Sequence, residues 1–325
     1  MVMSHSAIQV LASRHPGCEI DVLALEWSLP LVARMPMVRE GVALPVGHGE
    51  LGLATRRAVG RMLRSRHYDR AIVLPRTLKS ALVPWMARIP QRTGYRGEMR
   101  FGLINDMRPL DEALLPQFVQ RYVALAVDAD EALPRPIPTP RLAVDPASAA
   151  RVMSSLGLDL ITPVIAMMPG AEYGPSKKWP PAYYAELARR FIADGYQVWV
   201  LGSARDREEA DEIEARTGGI VRNICGRTQL VDAVDLIAQA RLAVTNDSGL
   251  MHVAAAVGCP VVALYGSTTP KYAPPLTERA TILYLGLGCS PCYSRDCPLV
   301  HHRCLKDLGP DLVYAAAREQ LSRQQ

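Results

Sequence analysis

From Pro163 onward the chain alternates short apolar runs with amphipathic stretches, and this alternation constrains its fold more than any other feature. Pro163–Met168, Tyr196–Leu201, Ile220–Ile224, Leu242–Val244 and Pro260–Tyr265 are apolar and bounded, which predicts strands. Between them, Pro181–Asp194, Asp206–Arg216, Leu230–Gln239 and a stretch opening at Leu250 predict helices. Tyr184, Leu187, Ala188 and Phe191 share one face of the first of these, and Leu250, Val253, Ala254 and Val257 one face of the last. Strands apolar along their whole length and separated by helices belong to a parallel sheet covered on both sides. The expected class is a doubly wound α/β fold.

Ahead of this pattern, 128–146 holds Pro134, Pro136, Pro138, Pro140 and Pro146 with almost no periodicity, which marks a linker. The expectation is two α/β domains, 1–145 and 146–325, with the last helix packing back on the first domain. The first half reads less regularly. Val2, Met3, Ala7, Val10 and Leu11 predict a helix stopped at His15-Pro-Gly, followed by a strand at Ile20–Leu25 and a loop at Pro45–Gly49. Leu51–Arg66 is a basic helical segment, Arg70–Leu74 a strand, and Thr77–Ala87 a helix kinked or broken at Pro84. Opening on a helix is unusual, because an α/β unit ordinarily begins with a strand.

The charge balance excludes some functions. Lys plus Arg number 37 against 32 Asp plus Glu, a net +5 too weak to imply nucleic acid. No apolar run reaches the ~18–20 residues that span a bilayer. Met1–Ser6 lacks the basic segment and apolar core of a signal peptide. A cytoplasmic location follows as the default, and the seven cysteines then read as reduced thiols.

Several segments at strand ends carry candidate chemistry. Asn246-Asp-Ser-Gly249 forms a turn before a helix, whose first amides and dipole favour an anion. The same residues also suit an ordinary capped β-α-β connection. Met168–Pro180 is a Gly-containing loop that brings Lys177 and Lys178 towards a helix, as point charges for a phosphate. Leu201–Asp206 is a third strand end with a small-residue turn and an acid. No Walker loop and no Gly-x-Gly-x-x-Gly follows any strand, which argues against a nicotinamide dehydrogenase. Arg88, Arg92, Arg96, Arg100 and Arg108 interleave with Gly94, Tyr95, Gly97 and Phe101. With Arg76 and Lys79 they suggest a surface for a phosphorylated ligand, or else a solvated loop paired with Glu98, Asp106 and Asp111. Cys289, Cys292, Cys297 and Cys304 have the spacing C-x2-C-x4-C-x6-C, which suits either reduced thiols in a loop or a zinc site with His301 and His302 nearby.

Asn246–His252, Ser176–Pro180 and Arg92–Arg100 resemble the ADP-heptose:lipopolysaccharide heptosyltransferases, glycosyltransferase family nine, in order and spacing over nearly the whole chain. Thr77–Pro84 and Arg92–Arg100 favour the heptosyltransferase II branch. The resemblance implies a GT-B architecture, two Rossmann-like doubly wound domains facing a central cleft, with the donor on the C-terminal one. It implies Lys177 and Lys178 at the donor phosphates, Asp247 at the donor heptose, and Ser248 and Gly249 amides at the diphosphate. His252 would face the ligand and Thr228 the adenosine. Asp206 would stand in for a ribose-binding acid, since Ala204 occupies the simplest alignment. Arg76, Lys79, Arg92, Arg96 and Arg100 would bind the acceptor.

The reaction implied is inverting transfer of heptose from ADP-heptose to the first heptose of the lipopolysaccharide inner core. The acceptor would be a phosphorylated heptosyl-Kdo-lipid A, met by an enzyme peripheral at the inner face of the inner membrane. No metal and no cofactor are implied. The family opens with a strand and a turn ending in Gly-Asp, whose Asp is the expected base, and this sequence starts at the residue that follows. The expectation is therefore that the first strand and base lie upstream of Met1, since neither Asp21 nor Asp69 fits. The competing readings are a catalytically silent ADP-sugar-binding protein, a heptosyltransferase with another acceptor, and a sugar-nucleotide epimerase.

Overall fold

The computed structural model describes residues 1–47 and 49–323, so His48, within the expected loop Pro45–Gly49, lies outside the described residues. The chain divides into two compact units: Met1 with 3–139, and Val2 with 140 onward. The division falls inside the Pro-rich segment, ahead of the expected boundary at 145/146.

In chain order the first unit contains α1 (His5–Arg14), β1 (Ile20–Leu25), α2 (Leu29–Val32), β2 (Val38–Leu44), α3 (Leu53–Arg64), β3 (Arg70–Val73), α4 (Leu78–Met86), β4 (Gln91–Tyr95), β5 (Asp106–Arg108) and α5 (Phe118–Ala124). Pro84 lies inside α4 without ending it. Its strands form two separate parallel ladders, β1 with β2 and β3 with β4 and β5. Leu23 of β1 and Ala71 of β3 nevertheless pack on one core cluster built from Val42, Leu44, Val59, Leu63, Val83, Ala87 and Ile89. β1 and β3 thus share a core without sharing a hydrogen-bond ladder, and most of their residues are only half-buried. Asp21 of β1 accepts hydrogen bonds from Arg39 Nε at 2.9 Å, Arg66 Nη1 at 3.3 Å and the Tyr68 hydroxyl. These partners hold its carboxyl below the usual range against the cost of burial.

The second unit contains α6 (Pro146–Leu156), β6 (Val164–Met168), α7 (Pro181–Ala193), β7 (Gln197–Val200), α8 (Arg207–Arg216), β8 (Arg222–Asn223), α9 (Leu230–Ile237), β9 (Leu242–Asn246), α10 (Gly249–Ala256), β10 (Val261–Tyr265), β11 (Ala280–Tyr284), α11 (Arg303–Lys306) and α12 (Pro310–Ser322). Its six strands are all parallel, in the order β11-β10-β9-β6-β7-β8. The chain starts in the middle at β6, winds outward to β8, then returns to β9 and winds the other way. β6 and β9 therefore flank the topological switch point, where loops diverge and ligands bind in such folds. β6, β9 and β10 are buried at every residue; in β9 the apolar run Leu242–Val244 is followed by two buried polar residues, Thr245 and Asn246.

Within its own unit α12 packs on the sheet, where Val313, Ala317 and Leu321 join the core with Phe191 and Leu264. Two expectations change here. β8 is shorter than the run at Ile220–Ile224, because only Arg222 and Asn223 pair with β7. α10 is buried at Met251, Val253 and Ala254–Ala256, whereas Leu250 and Val257 of the expected face are only half-buried. Among the described residues no helix is long and apolar enough to cross a membrane.

Candidate active site at the carboxyl ends of β6 and β9

Lys177 and Asp247 meet at the switch point. The Lys177 ammonium donates to Asp247 Oδ2 at 2.6 Å, and both side chains are largely buried, 15% and 12% exposed. Thr268, just past β10, donates its hydroxyl to the same oxygen at 2.6 Å. The Asp247 amide bonds Leu264 O at 3.1 Å, which ties the turn to β10. The Lys177 ammonium also lies 5.2 Å from the Tyr173 ring centroid, a cation–π contact. A primary ammonium held by a carboxylate, which a hydroxyl braces in turn, and by an aromatic face is a charged group placed to meet an anion.

Gly174 makes this loop possible. Its φ is +154°, and a Cβ there would meet the Arg295 carbonyl oxygen at 2.6 Å. Two residues on, Ser176 donates its amide to Arg295 O at 3.2 Å, and its hydroxyl meets Ser267 Oγ at 2.9 Å. The Lys177 loop is thus clamped to the segment after β10 and to 294–295.

Ser248 precedes α10, and no side chain caps that helix; the Ser248 hydroxyl lies instead 3.3 Å from Thr245 Oγ1. A Cβ built on Gly249 would meet nothing within 4 Å, so the helix start is open. Its first amides and dipole complement a negative charge. His252, one turn further, is half-buried, and burial pushes its pKa down to about 4 against the opposing pull of Asp247. It is therefore neutral near pH 7.

Other expected donor residues are placed differently. The Lys178 ammonium pairs with Glu209 of α8, away from Asp247: Lys177 ends a 3-10 turn and Lys178, its cap, is already extended. Asp206 caps its own turn, taking the Ser203 amide at 2.8 Å and hydroxyl at 2.7 Å. It also lies where a Cβ on Gly170 would come within 2.3 Å, so Gly170 leaves room for a carboxylate that braces its own turn through Oδ2. Thr228 is half-buried in the loop between β8 and α9.

The basic segment splits in two. Arg100 is completely buried, donating to Pro75 O at 2.7 Å, to Ser80 Oγ at 3.3 Å and to Tyr95 O. Arg92 donates to Leu103 O at 2.7 Å and to the carbonyl of Ile89. Arg92 is taken up by backbone carbonyls, and buried Arg100 by backbone carbonyls and the Ser80 hydroxyl with its Nε left unpaired among the described residues, so neither is displayed as the expected acceptor role requires. Arg76 and Arg96 are exposed and Lys79 is half-buried. Arg76 approaches Glu112 at 3.9 Å, a loose surface pair. The segment expected as irregular contains β4 and β5, whose pairing the arginine-rich composition conceals.

All seven cysteines are free thiols. Cys304 is pushed up by burial and by neighbouring Cys292, Cys297 and Cys289. Among the described residues, no three His, Cys, Asp or Glu side chains are arranged to hold a metal ion. Thr268 and Tyr173 escaped the sequence reading. For Thr268 the available signal was its position just after the strand beside β9.

Comparison with known proteins places the chain in a family. The family model Glycosyltransferase family 9 (heptosyltransferase) matches residues 56–302. Lipopolysaccharide heptosyltransferase 2 of Salmonella typhimurium is 45% identical over 333 residues, spanning 100% of this chain and 96% of that protein. Its Escherichia coli K12 namesake is 46% identical over 322 residues, 96% of this chain and 92% of that one. The solved structure of E. coli ADP-heptose LPS heptosyltransferase II superposes with a TM-score of 0.90 at 42% identity, covering 100% of this chain and 96% of that one. With its two parallel α/β units and this match over its length, the chain belongs to glycosyltransferase family 9, the heptosyltransferases, and has their GT-B fold.

Proposed function

We propose that the protein transfers a heptose from ADP-heptose to the first heptose of the lipopolysaccharide inner core, with inversion. The observation that carries this is the Lys177–Asp247 pair at the β6/β9 switch point, in a chain so similar to heptosyltransferase 2 over its whole length. Lys177 and the first amides of α10, at Ser248 and Gly249, neutralise the departing diphosphate. Asp247 orients the donor heptose, His252 offers a neutral imidazole beside it, and Thr228 lines the adenosine side. In the displacement the acceptor hydroxyl attacks the anomeric carbon opposite the diphosphate. The carbon–oxygen bond to ADP breaks, and the hydroxyl proton passes to a base.

Arg76, Lys79 and Arg96 form the accessible basic ledge for a phosphorylated heptosyl-Kdo-lipid A. An acceptor with acyl chains places the protein at the inner face of the inner membrane as a peripheral enzyme. Incubation with ADP-heptose, with and without heptose-bearing acceptor, tests the reading. Acceptor-dependent ADP release and a heptosylated product are expected. Tight ADP-heptose binding with no transfer under any acceptor would replace the enzyme by a silent binding protein.

A further inference from the structure

Asn246 ends β9 and is completely buried. Its carboxamide reaches both ends of the loop that carries Lys177. Nδ2 donates to Pro169 O at 2.6 Å, where the loop leaves β6. Oδ1 accepts the Trp179 backbone amide at 3.1 Å, where the loop closes before α7, and lies 3.2 Å from the Tyr184 hydroxyl. A carbonyl only accepts and an amide N–H only donates, so these partners fix which way the carboxamide faces. The next residue is Asp247, the partner of Lys177.

We propose that Asn246 is a positioning residue of the donor site: one carboxamide pins both mouths of the 169–179 loop to β9 and so sets Lys177 against Asp247. The proposal rests on the reading that this pair holds ADP-heptose.

The chemistry of the position asks for an amide. Three buried groups converge there, one needing a donor and two needing an acceptor. An ionised aspartate has no hydrogen for Pro169 O, and an aliphatic side chain would strand Pro169 O and the Trp179 amide and leave the Tyr184 hydroxyl only its longer bond to Met168 O at 3.4 Å. The groups it grips are themselves anchored. Trp179 Nε1 donates to Leu308 O at 2.7 Å, and the Trp179 and Tyr184 rings meet edge-on at 4.8 Å. Burial pushes the Tyr184 hydroxyl upward, so it stays a protonated donor. Lys177 has a long flexible stem, and the loop's two fixed ends, with the Ser176 clamp between them, limit where its ammonium can reach.

A double-mutant cycle read by ADP-heptose binding calorimetry tests this, because a residue acting through Lys177 loses its effect once Lys177 is gone. Asn246→Ala is expected to weaken ADP-heptose about 10–100-fold in the parent and less than about 3-fold in a Lys177→Ala background. Tyr184→Phe, which removes one bond and keeps the ring, serves in the same cycle should Asn246→Ala not fold. It is expected to weaken binding about 2–5-fold at a near-parent Tm. Val244→Ala on the same strand is the stability control, lowering Tm with affinity within about twofold. Equal losses in both backgrounds, or a lower Tm with unchanged affinity, would overturn the positioning role while leaving the donor site standing. If Lys177→Ala itself leaves ADP-heptose affinity unchanged, the donor-site reading fails and the inference goes with it.

Discussion

Lys177 and Asp247 lie 70 residues apart in the chain and 2.6 Å apart in the fold. β6 and β9 are neighbours in the parallel sheet, with Ala166 beside Ala243 and Met168 beside Thr245, so the loops at their carboxyl ends emerge side by side. Thr268 at the end of β10 adds a second hydrogen bond to the same carboxylate oxygen. Three consecutive positions across the sheet thus supply one polar cluster.

Removing the carboxylate should release Lys177 and lose the sugar contact together. Asp247→Ala is expected to weaken ADP-heptose by about 10–100-fold, the range for losing a charged hydrogen bond of roughly 1.5–3 kcal/mol. Thr268→Val, which keeps the shape and removes a neutral donor, should cost about 2–5-fold. Calorimetric titration with ADP-heptose measures both, and equal losses for the two variants would contradict the arrangement.

Arg100 and Arg96 should separate stability from recognition. Arg100→Ala leaves the carbonyls of Pro75 and Tyr95 without their donor inside the first unit. It is expected to cost about 2–4 kcal/mol of stability with ADP-heptose affinity intact. Arg96→Ala should change stability by less than about 0.5 kcal/mol and raise KM for the phosphorylated acceptor several-fold. Urea denaturation and acceptor titrations read the two effects. Arg96→Ala with an unchanged acceptor KM would remove Arg96 from the ledge.

The neutral state of His252 contributes acid sensitivity. Its pKa in the fold is lowered, from 6.5 to about 4, so the unfolded chain binds more protons between those values. The associated stability is fully present above pH 6.5 and falls as pH drops towards 4. The loss should be about 1–3 kcal/mol, allowing for partial solvent access. Asp247 and Lys177 act on the imidazole in opposite directions, so the measurement is made with both intact. In His252→Gln, the difference in unfolding free energy between pH 7 and pH 4.5 should shrink by that amount. A variant with the parent's full pH dependence would show that other groups govern it.

The break between the two ladders of the first unit predicts uneven hydrogen exchange. Amides of β1 and β3 should exchange at least about tenfold faster than those of β6 and β9, since each has an edge outside its ladder and half-buried residues along it. Peptide-resolved deuterium uptake checks this, and equal protection in the two sets would mean that the edges are covered in solution.

Legibility in the sequence followed burial. Val164–Met168, Leu242–Asn246 and Val261–Tyr265 are buried at every position, and their apolar runs announced them except at the polar end of β9, Thr245 and Asn246. β4 and β5 escaped notice because Gln91, Arg92, Asp106 and Arg108 hide short strands under polar letters. Their side chains find partners only in the folded unit, as when Arg108 donates to Ala124 O at 2.6 Å. β11 was missed for a similar reason, lying at the edge of its sheet with no fully buried residue.

The sequence by itself determined the doubly wound second unit and the strand-end turns that carry Lys177, Lys178 and Asp247 as candidates. Those features depend on local periodicity and on which residue types follow a strand. Only the tertiary structure decided what each charge is used for. It turned Lys178 to Glu209, set Asp206 to bracing its own turn, and buried Arg100 among carbonyls. It also gave Asn246 the two ends of the Lys177 loop. A charge or an amide in a sequence carries no record of its partner, because that partner is brought within hydrogen-bonding reach by the packing of segments distant in the chain.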